Sequence, residues 1–107
     1  MPVFFSKKYT TLANIADAAT SNENFISEDD QYANGPFDDI TIINEDSVAL
    51  FINLDANTTN RITVLPNSRE TGHDLKFRTF TITASGGTHT AGKVHILVEN
   101  TKFGRRR

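Results

Sequence analysis

The chain has no cysteine and no tryptophan, one methionine and three prolines in 107 residues. Without cysteine there is no disulfide, no thiolate nucleophile and no cysteine metal site. Without tryptophan, a sugar-binding face would have to rest on phenylalanine or tyrosine. No apolar run approaches the roughly 18 residues of a membrane-spanning helix. The opening "MPVFFSKKYTTLANIADAAT" does not read as a signal peptide, because Lys7 and Lys8 follow Phe4-Phe5 and no apolar core comes after them. Positive charge is also missing over a long stretch: no lysine or arginine lies between Lys8 and Arg61.

What is present fits one small domain: 37% apolar and 22% charged residues. The net charge of −2 hides an asymmetry. Residues 1–60 carry ten acids and two bases, whereas residues 61–107 carry three acids and nine bases. Solvated faces of opposite sign would account for this, as would charge complementarity within the fold or between copies of the chain.

The pattern divides the chain in three. Residues 11–19 place Leu12, Ile15, Ala16 and Ala19 at helical spacing behind Thr11, which predicts a short helix. Residues 20–39 read as a loop or extended segment, punctuated by Asn34-Gly35-Pro36 and rich in acids, with spaced apolar anchors. Residues 1–38 are therefore expected to form an N-terminal arm carrying that helix, draped over its own domain or a neighbour. From residue 39 to 100 the period changes to two. Ile40 and Ile42, "SVALFINLD" (47–55), "NRITVLP" (60–66), "KFRTFTITAS" (76–85) and "KVHILVEN" (93–100) alternate and are rich in β-branched residues. The segments between them, "NSRETGHD" included, carry turn chemistry. The fold expected is all-β, a small antiparallel sandwich of jelly-roll type or a barrel. "TKFGRRR" closes it as a basic tail, residues 101–107.

Residues 87–93, "GTHTAGK", fit the first seven positions of a phosphate loop. Val94 stands where that motif needs Ser or Thr, and "VHILVEN" continues as a strand, so no helix N-terminus is available to receive phosphate. The better reading is a hairpin joining the last two strands, with Gly86, Gly87 and Gly92 supplying positive φ. His73, His89 and His95 lack ligand spacing and read as surface residues. The acid pairs Asp29-Asp30, Asp38-Asp39 and Glu45-Asp46 lack both EF-hand spacing and a third catalytic group. Ser47, Ser68 and Ser85 have no nucleophile-elbow context. No catalytic, cofactor or metal residues are assigned, and no enzyme activity is expected.

Two binding readings remain beside assembly. Basic residues of the second half interleave with Phe77 and Phe80, as in single-stranded nucleic-acid grooves. Threonine-rich strands suit a carbohydrate site, with Phe51, Phe77, Phe103 and Tyr32 as candidate platforms. The texture of residues 39–100 resembles another kind of protein. "I-x-I-x-N" at Ile40 to Asn44, the turn at Asp55 to Asn60, "V-x-P" at Val64 to Pro66 and "G-x-V-x-I" at Gly92 to Ile96 look like small β-sandwich virion proteins of tailed bacteriophages.

The resemblance implies a structural protein of the virion: capsid decoration or cement, or a neck or tail component. It would assemble as a trimer or other cyclic oligomer on a major capsid or neighbouring virion protein, away from membrane and nucleic acid. The candidate subunit contacts are Phe4, Phe5, Leu12, Ile15, Phe25, Tyr32, Phe37, Arg61, Arg69 and Arg78.

Overall fold

A computed structural model describes residues 5–21, 26–55 and 61–101. The elements run β1 (Phe5–Thr10), α1 (Glu28–Ala33), β2 (Asp39–Asn44), β3 (Ala49–Leu54), β4 (Arg61–Val64), β5 (Arg69–Gly72), β6 (Phe80–Ser85) and β7 (Val94–Asn100). They build two antiparallel sheets, one of four strands in the order β1-β7-β2-β5 and one of three in the order β4-β3-β6. The all-β fold expected from the alternation is the one observed, and of sandwich and barrel it is the two-sheet arrangement, with one short helix in the N-terminal third.

The alternation works as it should. Ile40 and Ile42 of β2, Leu50 and Ile52 of β3, Phe80, Ile82 and Ala84 of β6, and Val94, Ile96 and Val98 of β7 all turn inward and are buried together. Burying one such aliphatic side chain contributes about 1.5–3 kcal/mol. The sandwich therefore rests on these period-two stripes meeting face to face. Asn44 is buried at the end of β2. Its amide donates to the Val48 and Leu65 carbonyls, and its Oδ1 accepts from the Asp46 amide. One side chain thereby pins the β2–β3 turn to the exit of β4.

Two strands were not legible as strands. β1, "FSKKYT", and β5, "RETG", are the edges of the four-stranded sheet. An edge strand has only one neighbour and a largely wet surface, so it needs little apolar patterning, and lysines there discourage further pairing. Tyr9 of β1 is the exception. It packs edge-on against Phe80 at 6.3 Å, and burial, then the Asp30 charge, push its phenol up to about 12.

The helix expected over 11–19 is absent, and the reason is tertiary. Ile15 exchanges backbone hydrogen bonds with His89 at 2.9 and 2.8 Å. Ala18 donates to the Ala84 carbonyl, Ala84 donates to the Ala19 carbonyl, and Ser21 donates to the Ile82 carbonyl. The segment runs along the free edge of β6 and covers it. A two-turn alanine-rich helix is marginal alone, and an open sheet edge offers its amides better partners. The chain's helix lies instead at Glu28–Ala33, where Ser27 caps it by accepting from the Asp30 amide and three acids crowd the first turn.

The N-terminal third packs on its own fold. β1 pairs with β7 along its length, and Ile15, Ile26 and Phe37 are core residues. Phe37 stacks against Phe5 at 5.5 Å and meets Phe77 at 5.7 Å.

Candidate functional site

The glycine loop is not a hairpin. β6 and β7 belong to different sheets, so residues 86–93 cross from one layer to the other. Gly86 and Gly92 do take positive φ, 92° and 83°. The amides a phosphate would need are already occupied. Asp17 Oδ1 accepts from Gly86 and Gly87 at 3.0 and 3.1 Å. Asp46 Oδ2 accepts from Thr90 at 2.8 Å, and Asn14 Oδ1 from Ala91 at 2.8 Å. Gly92 donates to the Thr11 carbonyl and hydroxyl. Acceptors from two other segments, residues 11–17 and the β2–β3 turn, hold the crossover in place.

His89, read as a surface residue, belongs to this crossover and is buried, 1% exposed. The bridge to Ile15 draws its backbone inward and carries the ring with it. Its Nδ1 lies 3.5 Å from Asp46 Oδ2, and neither ring nitrogen makes a hydrogen bond. The other two histidines are as expected nearer solvent. His73 Nδ1 meets Asp39 Oδ2 at 3.0 Å, and that hydrogen bond and charge raise the imidazole above its ordinary value. His95 bridges Thr10 Oγ1 at 3.0 Å and Glu45 Oε1 at 2.9 Å. Each histidine thus faces an acid from residues 39–46.

The remaining acids of the sequence pairs do structural work. Asp38 is fully buried and accepts from the Thr101 amide and hydroxyl, closing the end of β7. Asp46 is held below its ordinary value by the Thr90 amide, then by the Ser47 amide, against an opposing cost of burial. Asp30 is also lowered: burial works against it, but hydrogen bonds and charge from Lys7, with Ser27 and Asn34, prevail. Among the described residues no three metal-ligating side chains converge.

The platforms for sugar or nucleic acid are largely taken. Phe77 is 1% exposed, in the core with Phe37. Phe51 does face outward from the three-stranded sheet, but the Arg61 guanidinium covers its ring at 4.0 Å. The neighbouring threonine hydroxyls on that face are already engaged: Asn53 Nδ2 donates to Thr81 and Thr83, and Thr83 also meets Thr20 at 2.8 Å. Tyr32 is 70% exposed on α1, with the Arg78 guanidinium 5.5 Å from its ring centre.

The ten candidate subunit contacts are scattered. Phe4 and Phe25 lie outside the described residues, as do Phe103 and the tail from residue 102. Ile15 and Phe37 are core residues, which removes them as contacts with another chain, and Phe5 is half-buried against Phe37. Their apolar character was legible, but the partner they cover is their own sheet. Arg78 donates from Nη1 to the Gln31 carbonyl and anchors α1. Leu12 (84% exposed), Tyr32, Arg61 and Arg69 remain on the surface.

The structure brings together a surface that no single segment announces. On the outer face of the four-stranded sheet, register sets Lys8 beside Leu97 and Leu97 beside Thr41, while His95 lies beside Ile43 and Ile43 beside Arg69. These side chains alternate with the buried set and line a shallow depression of about 180 Å³. The outward parity of His95 and Leu97 was readable in β7. Lys8 and Arg69 were not placeable, because they sit on the two unrecognised edge strands.

Compared with protein-family models, with curated proteins and with solved structures, the chain finds no match.

Proposed function

We propose that this protein is a non-enzymatic structural subunit that works by symmetric assembly, most simply as a decoration or cement component of a phage-like particle. The observation that carries the assembly reading is that the charge asymmetry is not consumed within the chain. Lys7 pairs with Asp30, and the three histidines each lie against an acid. Arg61 lies on Phe51, Arg78 on a carbonyl, and Arg69 and Lys93 stand exposed with no acidic partner among the described residues. Glu28, Asp29 and Glu70 are exposed with no basic one. Opposite charges left open on the molecule favour contact between copies, through steering and register. The virion setting rests on the resemblance of residues 39–100. The burial of Phe77 and the covering of Phe51 weigh against the binding alternatives, which need an open aromatic face.

The test is absolute mass by light scattering on a sizing column, at low and high salt. A discrete oligomer that loosens as salt rises is expected. A monomer of 11.9 kDa at both salts overturns self-assembly.

A further inference from the structure

Lys7 and Lys8 are neighbours in β1 but point to opposite faces of the sheet. Lys7 holds Asp30 of α1 at 3.3 Å. Lys8 stands on the outer face, at one rim of the depression floored by Leu97, Thr41 and Ile43. Arg69 of β5 stands at the other rim. Four strands separate the rims by three spacings, roughly 14 Å. An α-helix with its side chains is about 10–12 Å across. The floor is half-buried, Ile43 and Leu97 beside Thr41 and a His95 that is taken by Glu45, the rims are cationic, and neither Lys8 nor Arg69 has an acidic partner among the described residues.

The chain itself carries a segment of matching character. α1 has Glu28, Asp29 and Asp30 in its first turn and no basic residue in its last. Asp30 is spent on Lys7, Ser27 and Asn34. The outward face presents Glu28, Asp29, Tyr32 and Ala33, all exposed, two acids beside an aromatic ring and a methyl group. No residue of α1 is buried in its own fold.

Resting on the assembly reading above, we infer that the outer face of the four-stranded sheet receives helix α1 of a second copy, with Glu28 and Asp29 against Lys8 and Arg69 and Tyr32 on the Ile43–Leu97 floor. A chain cannot make this contact with itself. Its own α1 is tied elsewhere, by Lys7 and Arg78 and by Asn100, whose Nδ2 donates to the Asn34 carbonyl. The contact therefore joins two different surfaces, and repetition of it gives a ring when the rotation closes.

The test uses two full-length charge reversals, Lys8→Glu/Arg69→Glu on the sheet face and Glu28→Lys/Asp29→Lys on the helix. All four side chains are largely at the surface, and circular dichroism verifies that each variant keeps the sheet. At a concentration and salt where the wild type is oligomeric, each variant alone is expected to fall to the 11.9 kDa monomer mass. Their equimolar mixture is expected to recover a higher mass, because the reversed face now matches the reversed helix. A wild-type oligomer with both variants at unchanged mass overturns this contact and leaves assembly standing. Two monomeric variants whose mixture stays monomeric overturn the pairing of these two surfaces. A monomeric wild type overturns the contact together with the assembly reading.

Discussion

His89 and Asp46 meet at 3.5 Å at the crossover between the two sheets, the imidazole buried and without a hydrogen bond to either nitrogen. A buried polar atom left unsatisfied costs about 1–3 kcal/mol. The Thr90 and Ser47 amides hold the Asp46 carboxylate more strongly than the ring does. His89→Leu, which keeps most of the volume and discards the polar atoms, is therefore expected to be neutral or stabilising in urea unfolding. His89→Ala leaves a cavity and is expected to cost about 2–4 kcal/mol, as large-to-small core changes do. Equal losses in both variants would mean that the ring's polarity matters to the fold.

Asp46 makes the crossover sensitive to acid. Its carboxyl is held below the ordinary 3.8, first by the Thr90 amide. A depressed folded value means stability that is present above pH 3.8 and lost as pH falls through the folded value. Asp46→Asn is expected to lower stability at neutral pH and to flatten its acid-side decline. The check is urea unfolding at a series of pH values from neutral down to the acid transition.

His73 acts in the opposite direction. Its imidazole, paired with Asp39, is raised above 6.5. That contribution is complete below pH 6.5 and disappears as pH rises through the raised folded value. The site is exposed, so the effect is small and screened by salt. Proton titration by NMR should find His73 above 6.5, and Asp39→Asn should return it toward that value.

Phe37 ties the N-terminal third to the core through Phe5 and Phe77. Phe37→Ala is expected to cost about 3–5 kcal/mol. Removing residues 1–38 deletes β1, the cover of β6, and the buried Ile15, Ile26 and Phe37. The truncated chain is expected to lose cooperative unfolding, measured by circular dichroism on heating. A truncated chain that still melts cooperatively would show that residues 39–101 fold alone.

The alternating stripes of β2, β3, β4, β6 and β7 determined from sequence that this chain is an all-β protein, a sandwich or a barrel. A strand with one buried face must repeat every two residues, and that constraint is local. The positive φ of Gly86 and Gly92 was legible for the same reason. Four features were decided only by tertiary structure. Residues 11–19 gave up a helix because the bare edge of β6 offered their amides stronger partners. β1 and β5 became strands although they are polar, because an edge needs backbone pairing and little apolar surface. His89 is buried because the loop around it crosses between sheets, and which sheet a strand joins is not written in its period. The candidate contact face shares this origin: Lys8, Ile43, Arg69 and Leu97 come from four strands distant in sequence, and only the pairing β1-β7-β2-β5 sets them side by side.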